Sequence, residues 1–127
     1  EGRSNRHRMR KGNEVVQDRY LDDMALVLEV EGRSMLLCGC CHAGLLNTLA
    51  RAERIVEQPI EVIVGGLHLT GASTEELEHI CRVLKQRPAL QHVYPNHCTG
   101  EAAFVALTNA LGASIVQPCP AGTTLRL

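Results

Sequence analysis

Three short stretches each set a histidine beside glycine: Gly39-Cys40-Cys41-His42-Ala43-Gly44, Gly65-Gly66-Leu67-His68 and Asn96-His97-Cys98-Thr99-Gly100. Neutral imidazole is a common ligand for Zn²⁺, Fe or Mn, and a carboxylate or water can complete such a site. Glycine lets the backbone turn sharply and approach a bound group closely. One histidine in such a place serves as readily as a hydrogen-bonded structural residue. Three in equivalent places point to a shared metal site. His7, His79 and His92 lack this setting; they fall in a basic terminal stretch, on an exposed helix position and inside a strand, and are read as non-functional.

The elements around these stretches explain how they meet. Met24 to Glu31 is β-rich, Glu31-Gly32-Arg33-Ser34 reads as a turn, and Met35 to Cys38 is a short buried strand. Leu45, Leu46, Leu49 and Ala52 then recur at helical spacing. Residues 59–66 form an apolar β-branched strand. The clearest helix follows, with Ser73 and Glu76 spaced as a capping box, a stripe of Leu77, Ile80, Cys81 and Leu84, and Pro88 at its end. Residues 90–95 give another strand and residues 100–112 a third helix, closed by Gly112. Residues 113–117 and 122–127 read as terminal strands. Strands alternating with helices define an α/β chain with largely parallel central strands. In such a sheet, loops leaving the carboxyl ends of the strands converge on one edge, where ligands bind. Each histidine stretch is one of these loops. Each also opens a helix, whose free N–H groups favour anions.

The six cysteines are crowded at Cys38, Cys40 and Cys41 and scattered at Cys81, Cys98 and Cys119. This is not a disulfide framework, and a reduced, cytoplasmic setting fits it. Structural zinc sites draw on paired Cys-x₂₋₄-Cys knuckles, and no second knuckle is present. Cys40, Cys41 and Cys98 are therefore expected to pack around metal ligands rather than to bind. The rival reading makes them thiolate ligands of a non-catalytic Cys/His zinc-binding or assembly module. Sulfur against nitrogen and oxygen in the metal shell separates the two.

Composition narrows the classes. A net charge of -1 gives no global attraction to nucleic acid or an anionic membrane, and only 2% aromatic residues leaves almost no platform for stacking bases. No stretch reaches the roughly 18 apolar residues of a membrane span. The length suits one core. Residues 1–19, with Arg3, Arg6, Arg8, Arg10 and Lys11, are expected to be a basic, flexible arm, and residues 20–127 the folded part.

The runs 39–49, 64–73 and 94–103, in that order and after an Asp22-Asp23 pair, resemble the carboxyl-terminal half of metallo-β-lactamase-fold proteins. The subgroup is the one related to the methanopterin-pathway dihydropterin ribofuranosylaminobenzene phosphate synthases, whose runs read approximately G-C-S/C-H-A-G-x-x-N-T, G-G-F/L-H-L and H-C-T-G. The resemblance implies half of an αββα sandwich: one mixed sheet with about three helices and part of a dinuclear metal site at its edge. It makes His42 and His97 metal ligands, with zinc the expected ion and Mn or Fe the other candidates. His68 would act at the substrate, by contact, by proton transfer or as a further ligand. Asp22 and Asp23 would support the site, or simply close the turn before the strand.

One departure is large. The family's His-x-His-x-Asp-His motif does not occur in these 127 residues. The chain is accordingly expected to be a fragment, a split gene product or a half that assembles with itself, and the non-Met start favours a fragment. Alone it is expected to be inactive. Its lone sheet would expose the face that the missing half covers, so its expected partners are that half or a second copy, besides a small-molecule substrate in the intact protein.

Overall fold

β-Branched and aliphatic runs pair where their hydrophobic faces match, and the computed structural model, which describes residues 7–125, shows how. Strands β1 (Arg8–Lys11) and β2 (Glu14–Gln17) form a separate antiparallel hairpin. Strands β3 (Ala25–Val30), β4 (Arg33–Cys38), β5 (Ile60–Gly66) and β6 (His92–Asn96) form one mixed sheet in the order β3-β4-β5-β6. β3 runs antiparallel to β4, while β4, β5 and β6 are mutually parallel. Helices α1 (Leu45–Ala52) and α2 (Thr74–Lys85) make the two crossovers, and α3 (Glu101–Leu111) follows β6 after a single 3₁₀ turn at His97–Thr99.

Both crossovers step the same way across the sheet, which puts their helices on one face. The register aligns Val27, Leu36, Ile63 and Val93 across all four strands on that face. Leu36, Ile63 and Val93 are wholly buried there against Leu45 and Leu49 of α1, Leu84 of α2 and Leu107 of α3. The opposite face carries Leu26, Leu28 and Val30 of β3, and these remain exposed.

Local chemistry sets the helix starts. The capping box is present on α2: Ser73 Oγ accepts from the Glu76 N–H at 3.2 Å, and Glu76 Oε2 accepts from the Ser73 N–H at 2.8 Å. Such a cap stabilises by about 1 kcal/mol. Gly100, at φ 82°, opens α3. A Cβ there would meet the Thr70 backbone at 3.1 Å, so glycine permits the close approach of two of the histidine loops.

Two sequence expectations change. Of residues 1–19, the first six lie outside the described residues; within the rest, residues 8–17 form the hairpin. Among the described residues of the expected terminal strands, only Val116 pairs with the sheet, through an isolated parallel bridge to Val93. Pro118 and Pro120, which lack N–H donors, prevent the ladder from continuing. Arg126 and Leu127 lie outside the described residues. Among the described residues no helix is long and apolar enough to cross a membrane.

Candidate functional site: a histidine and cysteine rim

Parallel β4, β5 and β6 end on one edge, and the loops leaving them are tied together by backbone contacts. The Gly66 N–H donates to the Gly39 carbonyl at 3.1 Å, and the Thr70 N–H to the Cys98 carbonyl at 3.2 Å. A Cβ on Gly66 would lie 2.7 Å from both the Gly39 oxygen and Cys98 Sγ and would overlap the His97 ring. Glycine is required there for the loops to touch.

Two groups of side chains sit on this rim. In the first, the rings of His42 and His68 are 4.5 Å apart, centroid to centroid, edge to face. Tyr20 packs 5.2 Å from His42. Its ring is buried, and its hydroxyl has no hydrogen-bond partner. His7 completes the group, 6.0 Å from His42 and 5.8 Å from His68. Reading it as part of a flexible basic arm missed this; the Gly12-Asn13 turn signal after it was the available clue. Cys41 and His68 both adopt positive φ, 56° and 50°. This conformation is uncommon outside glycine and turns each loop back toward the rim.

In the second group, Cys40 Sγ, a ring nitrogen of His97 and Cys98 Sγ all lie within 4.8 Å of one another. Cys40 Sγ is 2.9 Å from His97 Nε2. Cys98 Sγ accepts from the His68 N–H at 3.3 Å and approaches the Cys40 carbonyl at 3.5 Å. His97 is exposed and both cysteines are half-buried. Burial holds the Cys98 thiol up to about 11. The donor set fits a divalent metal of borderline softness: imidazole nitrogen and sulfur suit zinc.

His42 and His97, the two expected ligands, thus fall in different groups. His68 bridges them, its ring on His42 and its N–H on Cys98. Asp23 lies under the rim, where its Oδ2 accepts from the Ala43 N–H at 2.9 Å and fixes the His42 loop. Asp22 is exposed in the preceding turn. Cys41 is buried in the core beside Cys38. The neighbouring thiol lowers Cys41 and, with burial, raises Cys38 relative to an ordinary thiol. All six cysteines are free.

A four-stranded mixed sheet with three helices on one face and a histidine-rich rim is about half of a metallo-β-lactamase fold, and the chain resembles that superfamily in both structure and sequence. The crystal structure of Tm1679, a metal-dependent hydrolase of the β-lactamase superfamily, superposes with a TM-score of 0.84 at 28% identity, covering 94% of this chain and 46% of that one. The uncharacterized protein MJ0448 of Methanocaldococcus jannaschii is 32% identical over 98 residues, which is 77% of this chain and 35% of that protein. The 7,8-dihydropterin-6-methyl-4-(beta-D-ribofuranosyl)-aminobenzene-5'-phosphate synthase of the same organism is 26% identical over 87 residues, 68% of this chain and 29% of that enzyme. The chain therefore spans about a third of the length of the curated relatives it matches. No protein-family profile matches it.

Proposed function

We propose that this chain supplies part of the metal site of a metal-dependent hydrolase or transferase of the metallo-β-lactamase superfamily. The observation that carries the reading is the convergence of three strand-end loops on one rim, with the His42 and His68 rings 4.5 Å apart and His97 beside Cys40. His42 and His97, which lie in different groups of the rim, each contribute an imidazole to a dinuclear site for divalent metal, zinc first, with Mn or Fe as alternatives. A metal so held supplies Lewis acidity, polarising an ester, phosphate or pterin-linked oxygen or acidifying a water. His68, against His42, receives or returns a proton at the substrate, and its ring is held by the loop that Cys98 and Gly100 brace. Asp23 fixes the His42 loop through the Ala43 N–H.

The remaining ligands come from a segment carrying His-x-His-x-Asp-His, a motif these 127 residues do not contain. Coverage of only 46% of the hydrolase neighbour supports this. The bare β3 face is where that segment, or a second copy, packs. Six free thiols suit a cytoplasmic, reducing setting.

The test is reconstitution. Mixed or co-expressed with a polypeptide bearing that motif, the chain should bind more metal per molecule and hydrolyse an activated phosphodiester or ester. His68→Ala should remove the hydrolysis while leaving metal content near normal. Unchanged metal content and no hydrolysis on reconstitution would overturn the reading.

A further inference from the structure

We propose that Cys40, His97 and Cys98 form a metal site in their own right, holding zinc through two thiolates and Nε2 of His97, with the fourth position open to water or an incoming ligand. This goes beyond the hydrolase reading, in which His42 and His97 are the ligands and the cysteines only pack. The two share His97 alone.

Geometry carries it. Donor atoms around a tetrahedral zinc, with Zn–S near 2.3 Å and Zn–N near 2.0–2.1 Å, stand about 3.3–3.8 Å apart. Three donor atoms, one from each residue, already lie within 4.8 Å of one another, and Cys40 Sγ and His97 Nε2, at 2.9 Å, need only a small spreading. They come from two loops far apart in sequence, so the sheet register brings them together rather than local chain geometry.

The surroundings are those of a ligand set. The Nδ1 atom of His97 lies 2.7 Å from Asn96 Oδ1. An amide oxygen only accepts, so Nδ1 carries the proton and Nε2 offers its lone pair on the side of Cys40 Sγ. This is the way metal-binding imidazoles are fixed. The His68 N–H donates to Cys98 Sγ, a contact that strengthens as the sulfur gains negative charge. Gly66 keeps clear the space that a Cβ would take from Cys98 Sγ and the His97 ring.

A structural zinc site is closed by four protein ligands, whereas a catalytic one has three and an open position. Among the described residues this group offers three, on an exposed edge, and His68, bonded to Cys98 through its N–H, sits beside it. The site is therefore of the open kind.

The chain, kept reduced, is titrated with Zn²⁺ and with Co²⁺, and the zinc form is measured by X-ray absorption. The expected shell has two sulfurs near 2.3 Å with nitrogen or oxygen near 2.0–2.1 Å. Co²⁺ should give intense near-ultraviolet thiolate charge-transfer bands. These should fall by about half or more in Cys40→Ser and in Cys98→Ser, with zinc affinity falling by roughly 100-fold or more, and should persist in His42→Ala; removing a mere supporting contact costs about 10–100-fold. Circular dichroism checks that each variant folds. If Cys98→Ser does not, Cys40→Ser decides. A shell without sulfur, unchanged affinity in Cys40→Ser, or bands lost in His42→Ala overturns the proposal. A nitrogen and oxygen shell lost in His42→Ala would do so while leaving the hydrolase reading intact, since that reading is judged by reconstitution.

Discussion

Asn96 and His97 are neighbours in sequence, and their side chains meet at 2.7 Å, Oδ1 to Nδ1, at the end of β6. Extended backbone at Asn96 (φ -141°, ψ -169°) gives way to the 3₁₀ turn at His97, which brings the two groups to one side. Asn96 thereby sets which ring nitrogen is free. Asn96→Ala is expected to weaken zinc binding by about 10–100-fold. Asn96→Asp, whose carboxylate also accepts, should restore most of it. Competition with a chromophoric chelator measures both, and unchanged circular dichroism separates the effect from unfolding.

Asp23 does for the His42 loop what Asn96 does for the ring of His97. Its carboxylate accepts from the Ala43 N–H at 2.9 Å and links the segment before β3 to the loop before α1. Removing it leaves a half-buried N–H without its partner. Asp23→Ala should therefore cost about 1–3 kcal/mol, read as a lower urea midpoint. Asp23→Asn, which keeps an acceptor oxygen in place, should lose less.

Much of this was legible in the sequence because its signals are local. Helix α2 announces itself through Ser73, Glu76 and the stripe ending at Leu84, and the structure places each as read. The three histidine loops were placed on one edge because parallel strands leave no other arrangement. The choice of side chains at that edge was not legible. Cys40, rather than His42, meets His97 because the backbone reverses at Cys41, where φ is 56°. No pattern in the sequence marks a non-glycine residue for that conformation. The β1–β2 hairpin was missed because nearly all its residues are exposed, leaving no buried face to create an alternation. Gly12-Asn13 just before the β-branched Val15-Val16 was the turn signal that could have revealed it.

The bare side of β3 predicts association. Leu26, Leu28 and Val30 are 55%, 38% and 64% exposed, on an edge strand whose inward residue, Val27, packs on the core. Apolar residues on an open edge are a template for pairing with another chain. With no other polypeptide present, the chain should self-associate, and light scattering should show the mass rising toward a dimer with concentration. Leu26→Glu combined with Val30→Glu should return a monomer with circular dichroism unchanged. Wild-type chain that stays monomeric at high concentration would contradict this.

Cys81 gives the chain a pH dependence of known sign. It lies on the inner face of α2 among the core aliphatics, and burial raises its thiol above the ordinary value. Below the unfolded thiol's pKa, near 8.5, both states are protonated and nothing is lost. Above it, the unfolded chain ionises while the folded thiol resists, so the unfolded state gains and stability falls as pH rises toward the folded value. The urea midpoint should thus decline from about pH 8.5 upward. Cys81→Ala should be less stable at neutral pH, because it leaves a small cavity beside Leu84, yet should lose less as pH increases. Parallel midpoint curves for the two proteins would show that Cys81 contributes nothing to the alkaline slope.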